Sequence, residues 1–435
     1  MHDVLDLCDL VPDEAEERAH SGFEIGGMLD EACAAAKAKD FPTLREIKRR
    51  LEASARSPNW SYDEPDDAEV ILANIPNLPP LTAKTGADLA AAIHGAWLGR
   101  CVGNTMGKPV EGLRRDEVRI YLEAVGQWPQ TGYLPLMNEL PAGVSHLHES
   151  APFSTAGNFT EAPRDDDIDW TILALALAEG YGPVLTTADI AREWLDRLPF
   201  TQTFTAERAA YRNLIYGLQP PQTASIDNPY REWIGALIRA DMFGYLNPGN
   251  TARAAREAVV DARLSHLGNG IYGEMWAAAL VAAALATESA HTALVRALAV
   301  TPLRSRLAES QRALLDMHRS GATADAALEW VDRALGHYNW VHTINNAALI
   351  SIGLLWGSDF KSSVALTISG GRDTDSNGAT VGSVYGALNG LQAIPADLVV
   401  GTHVRVRSAV RGFDRALIAE LADRTLALTH VRERR

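Results

Sequence analysis

The sequence predicts an all-α protein, a compact multi-helix bundle preceded by a small helical N-terminal extension. Three observations carry this expectation. From about Lys84 onward, alanine- and leucine-rich segments follow one another, separated by Gly, Pro, Asn and Asp. Few runs alternate with period two, which leaves strands a minor part. Several segments, such as "DWTILALALAEGYG" and "GEMWAAALVAAALATES", are apolar almost all round, as fully buried central helices must be.

The extension comes first. Residues 1–84 hold 18 acidic and 9 basic residues, more than half of the net charge of −15. Within them, "GGMLDEACAAAKAKDFPTLREIKRRLEAS" reads as two short helices, and "SPNWSYDEPDD" and "NIPNLPPL" read as turn and linker. The expected organisation is an acidic helical extension with its linker over 1–84 and a main helical domain over 85–435.

Composition narrows the function. With 435 residues, 47% hydrophobic and 22% charged, the chain can bury a sizeable core. Its acidity argues against a nucleic-acid surface. It leaves room for an anionic small substrate, which needs only a local positive site. Cys8, Cys33 and Cys101 form no CxxC pair, so neither a disulfide framework nor a thiolate metal site is expected. The acidic start "MHDVLDLCDLVPDEAEE" is unlike a signal peptide. The longest uncharged helical runs fall short of the roughly 18 residues a membrane span needs. A cytoplasmic protein without membrane or nucleic-acid partners is expected; the oligomeric state is not encoded in any pattern found.

Three stretches carry chemistry. In "RDDDIDWT" (164–171), four carboxylates, Asp165, Asp166, Asp167 and Asp169, precede an apolar helix. They repel one another unless a cation or the helix N-terminus compensates; an exposed acidic cap is the plain alternative. In "SGGRDTDSNGATVG" (369–382), Asp373, Asp375, Asn377 and Gly378 imitate the first half of an EF-hand loop. Val384 stands where the bidentate glutamate belongs, and Trp170 replaces the required glycine in the first stretch, so neither is an EF-hand. Gly378, Gly382, Gly386 and Gly390 then recur every four residues. Such a face admits a very close helix or ligand. In "GAWLGRCVGNTMGKPVEG" (95–112), Gly95, Gly99, Gly103 and Gly107 repeat the spacing, and "KPVEG" breaks the helix. This stretch is a closely packed helix, or a loop carrying Glu111 to a site, or both. If the two acidic stretches converge, they supply oxygen donors and no sulfur, a set suited to Mg²⁺ or Mn²⁺ in a two-metal site.

Taken together and in order, the three stretches resemble the ADP-ribosylglycohydrolases. "GAWLGRCVGNTMGKPVE" is similar to the family's GxxxGxxxGDxxGxPxE, "RDDDIDWTILALALAE" to its acidic cluster before an LALA helix, and "GGRDTDSNGATVGSVYGALNG" to its GGDTDT helix. "WIGALIRADMFGYLNPGNTARAAREAVVDARLSH" is similar to a GxxMR segment and a helix ending in Thr-His, placing Gly235, Arg239, Ser265 and His266; "GNG" at 268–270 imitates the first of these. "WVHTINNAAL" adds His342, Thr343, Asn345 and Asn346, as caps and core or as substrate contacts. This chain departs from the pattern at Asn104 (commonly Asp), at an inserted Arg372, at Ser376 for Thr, and in the register of DDDID.

The resemblance implies the family's orthogonal helical bundle and hydrolysis of a glycosidic bond in ADP-ribosylated protein or a small ADP-ribosyl compound. It implies two Mg²⁺ ions (or Mn²⁺) held by Asp166, Asp167, Asp169, Asp373, Asp375 and Ser376, with Asp165 in reserve. Glu111, Asp167 and Asp169 are the expected acid–base residues. Gly103, Asn104, Gly107, Gly235, His266, Asn269, Gly270, His342, Asn345, Gly370, Gly371 and Arg372 are the expected substrate-side residues. A glycosidase for another ribosylated metabolite and a non-catalytic ADP-ribose binder are the alternatives.

Overall fold

The computed structural model describes residues 5–433; residues 1–4 of the expected extension and the last two residues lie outside it. Among the described residues the chain is almost wholly helical, with strand pairing confined to Arg405–Val406 against Ala416–Leu417. The all-α expectation holds.

Two glycine-lined helices form the spine. Gly86–Gly107 and Thr374–Asn389 run antiparallel with their four-residue glycine faces pressed together. A Cβ on Gly99 would overlap the carbonyl oxygen of Gly382, and one on Gly103 would overlap that of Gly378. No residue larger than glycine fits so close an approach of two backbones. The helix Gly268–Ala284 is buried at every residue, and Thr343–Trp356 at nearly every one, which explains sequences apolar all round.

Buried arginines pin these layers. Arg100 donates to the carbonyls of Asp167 and Ile238 and pairs with Asp241 at 2.9 Å. Arg239 reaches Glu207, Asp261 (2.6 Å) and Glu274 (3.6 Å). Each charge is paired, as burial demands.

The described N-terminal segment holds four helices, two more than its sequence suggested: Leu7–His20, Met28–Ala38 and Phe41–Glu52, which pack together, and the short Ala68–Asn74 in the linker. The first three share a small core of their own around Val11, Ala32, Leu44 and Ile47. Leu5 and Leu10 pack instead on Ala206, Tyr230, Trp233 and Val341. Arg306 binds Glu64 at 2.9 Å and Glu232 at 2.6 Å, and Arg231 binds Glu14 at 2.6 Å. Lys84 closes the linker by donating to the carbonyls of Ala284, Thr287, Ala387 and Leu388. Among the described residues, no helix is long and apolar enough to cross a membrane.

Candidate active site

The spine brings the acidic stretches together. Where Gly86–Gly107 ends, Thr374 Oγ1 donates to the Gly107 carbonyl at 2.8 Å, so one helix's C-terminus meets the other's N-terminus. The short turn Lys108–Val110 then carries Lys108 and Glu111 past Asp375. Arg100 holds the Asp167 carbonyl and thereby brings the start of Asp166–Tyr181 to the same place. Gly371 and Arg372, both at positive φ, press the following turn onto this loop. Arg372 N–H donates to Leu113 and Gly112 N–H donates to Arg372.

The result is a cavity of about 890 Å³. Its floor carries Lys108, Glu111, Asp165, Asp166, Asp373 and Asp375. Phe200, Phe204, Trp233 and Trp340 face it from the walls. Glu111, Asp373 and Asp375 offer carboxylate oxygens within 4.8 Å of one another, and so do Asp165, Asp167 and Asp375. Between these overlapping groups lies Lys108 Nζ, 2.7 Å from each of Glu111, Asp165 and Asp375.

Protonation follows the crowding. Burial, and then the charge of Asp375, pushes Glu111 well above the usual carboxylate range. Burial and the neighbouring carboxylates do the same to Asp167 and Asp373. Desolvation and then the charge of Asp165 raise the half-buried Asp166 to about 7. Asp165 goes the other way: burial opposes ionisation, but Lys108 outweighs it and brings the group to about 2. A centre in which some carboxyls ionise and adjacent ones hold protons is equipped for acid–base work.

The expected metal residues divide. Asp167, Asp373 and Asp375 meet in the two groups, Asp166 and Ser376 line the cavity, and Asp165 moves from reserve into the centre. Asp165 is the helix N-cap, with extended backbone that swings its carboxylate inward while accepting from Asp167 N–H at 3.1 Å. Asp169 stands apart. One oxygen takes Arg164 at 2.7 Å, the other Ser408 Oγ at 2.6 Å and Ala409 N–H at 3.0 Å. Both oxygens are engaged, and Oδ1 tethers the C-terminal segment.

The expected substrate-side residues also divide. Gly103 and Gly107 face the partner helix. Asn104 donates to Asp167 Oδ2 at 2.9 Å. Gly235 lines the cavity against Glu207. His266 is buried on Ser265 Oγ, and Gly270 packs against it. Asn269 ties Glu64, Glu232 and Leu307 together. His342 caps Thr343–Trp356, and Asn345 donates to Asn339. Gly370 packs on Leu349 and Gly371 on Leu113. Arg372 binds Asp332 at 2.9 Å and lines a neighbouring cavity of about 700 Å³ with Arg114, Arg115 and Arg119. Gly112 and Trp340 border both cavities.

Sequence reading passed over Lys108, three residues before Glu111, and His148, whose Nε2 lies 3.3 Å from Glu111. The lysine had a signal, a lone cation beside the one glutamate singled out; the histidine, in an irregular loop, had none.

The acidic centre has the donors for a hard divalent cation. Its ligand atoms are all oxygen, and Asp167 Oδ1 and Asp375 Oδ1 are buried without a hydrogen-bond partner.

The helical spine and the polyacidic cavity at its end together define an all-α enzyme with a carboxylate-rich centre. Residues 85–435 match the model of the ADP-ribosylglycohydrolase family, and the chain belongs to that family of glycosidic hydrolases. No curated protein matches it. A solved structure described as an "ADP-ribosylglycohydrolase-related protein complex" is 20% identical, over 79% of this chain and 98% of that chain, with a TM-score of 0.47.

Proposed function

We propose that the chain hydrolyses the bond at the anomeric carbon of an ADP-ribosyl group, on a modified protein or a small compound, with Mg²⁺ as its ion and Mn²⁺ as a substitute. The observation that carries this reading is the pair of orphaned oxygens, Asp167 Oδ1 and Asp375 Oδ1, in a carboxylate group whose Asp165 and Asp375 line the same cavity as Glu111. Asp165, Asp167 and Asp375 would hold the ion, which supplies Lewis acidity and a water of lowered pKa.

The chain's own groups do the rest. Glu111, raised in pKa, holds a proton that it can give to the leaving atom or take from water. Asp169, the expected rival, has both oxygens committed to Arg164, Ser408 and Ala409. The aromatic walls, Phe200, Phe204, Trp233 and Trp340, offer apolar faces to the ribose.

The test is release of free ADP-ribose, followed by chromatography, from ADP-ribosylated peptides and small ADP-ribosyl compounds, against ribosides lacking the diphosphate. Release with Mg²⁺ and loss with EDTA support the reading. Cleavage of the diphosphate-free ribosides alone would favour another ribosylated metabolite. Tight ADP-ribose binding without turnover would make the chain a binder.

A further inference from the structure

We propose that Lys108 takes the place of a second divalent cation, so that the centre holds one ion, between Asp165, Asp167 and Asp375. This rests on the reading of the cavity as a metal-assisted hydrolase site and replaces the two ions the sequence suggested.

The geometry sets the count. Two overlapping groups of carboxylates share Asp375. The ammonium of Lys108 sits at their junction, 2.7 Å from Glu111 Oε2, Asp165 Oδ2 and Asp375 Oδ2. An ammonium has three N–H donors, so these contacts use all of them and leave none for substrate. The lysine side chain is 11% exposed. Mg²⁺ needs ligands at about 2.0–2.1 Å, so an ion in that spot would have to expel the lysine and draw the carboxylates inward.

Two carboxylate oxygens of the Asp165, Asp167 and Asp375 group are left unsatisfied. Asp375 gives Oδ2 to the lysine and keeps Oδ1 free; Asp167 gives Oδ2 to Asn104 and keeps Oδ1 free. Both residues are at most 2% exposed. Both residues belong to the group that includes Asp165, and Asp167 belongs to that group alone; Lys108 contacts Asp165 and the shared Asp375 as well as Glu111, so its charge serves both groups. Asn104, an amide donating to Asp167, adds no negative charge that a second ion would have to balance. One ion and one ammonium complete the centre. Lys108 is thus a positioning residue: it holds Glu111 in place at the cavity floor without consuming a metal.

Mn²⁺ binding measures the count without substrate. The full chain, loaded with Mn²⁺ and dialysed, is expected to retain one ion by elemental analysis and to give an uncoupled EPR spectrum. Lys108→Met should retain two, a doubling, with the exchange-coupled spectrum of a metal pair, and Lys108→Arg should retain one. Two ions on the wild-type chain, or none, would overturn the proposal, as would a folded Lys108→Met variant that still binds one. If Lys108→Met does not fold, the wild-type count alone decides. A chain with one ion that releases no ADP-ribose would sink the proposed function and leave the role of Lys108 standing; release of ADP-ribose by a two-ion chain would do the reverse.

Discussion

Thr374 Oγ1 donates to the carbonyl oxygen of Gly107 across 2.8 Å, closing the glycine spine at the end that carries the acidic centre. Helix packing and site geometry are therefore one structure: whatever spreads the spine also moves Lys108 and Glu111 away from Asp375.

Gly99→Ala tests this link. Its methyl would overlap the Gly382 carbonyl, a backbone atom that cannot swing aside. The expected cost is about 3 kcal/mol, at the upper end of overpacking, with weakened Mn²⁺ binding in the folded fraction. Gly180→Ala is the contrast. It sits exposed near the end of Asp166–Tyr181 with open space around it, and should stabilise by up to about 1 kcal/mol. Chemical denaturation of both variants checks the pair; equal effects would break the argument.

Asp169 and Asp375 are separated by metal binding. Asp375→Asn removes a charge at the free oxygen and should weaken Mn²⁺ by more than about 100-fold. Asp169→Asn should leave Mn²⁺ affinity near wild type. It should instead cost about 2 kcal/mol of stability, less than a fully buried pair because Arg164 is 25% exposed. Calorimetric Mn²⁺ titration and denaturant melts on the same samples give both readouts.

The two carboxylates also show where sequence legibility stops. Helix spacing of the glycines, the apolar runs and the three-stretch order were all readable, because each reflects a local period or a run of residues. The register within 165–169 was not. Whether Asp165 or Asp169 turns inward depends on the N-cap backbone of Asp165 and on Ser408, more than 200 residues away in the chain. Gly103 and Gly107 were read as possible ligand contacts because small residues admit a helix and a ligand equally well; only the opposing glycines decide between them. The helix Leu7–His20 escaped notice because Pro12 lies inside it and its face is split between two separate cores.

Glu111→Gln isolates the proton. The amide keeps the shape and an oxygen for Lys108 but neither accepts nor releases a proton at working pH. Hydrolysis should fall by about 100-fold or more in kcat, with KM for the ADP-ribosyl substrate and Mn²⁺ affinity little changed. Steady-state kinetics beside a Mn²⁺ titration distinguish this from collapse of the site, which would lower both.

His403 predicts a pH effect away from the centre. It is 2% exposed, stacked on Tyr133 with ring centroids 5.4 Å apart, and within 3.1 Å of Thr105 Oγ1. Burial lowers it from 6.5 to about 3, so the folded chain keeps it neutral where the unfolded chain protonates it. Its contribution is complete above pH 6.5 and is lost as the pH falls towards about 3. Over that window one group gives a slope of about 1.4 kcal/mol per pH unit. The raised carboxylates of the acidic centre act with the opposite sign, so the informative quantity is the difference between wild type and His403→Gln. The variant should be less stable at pH 7, and the gap should narrow steadily on acidification. Urea melts across the range measure it, and a gap that stays constant would show that His403 is already charged in the folded protein.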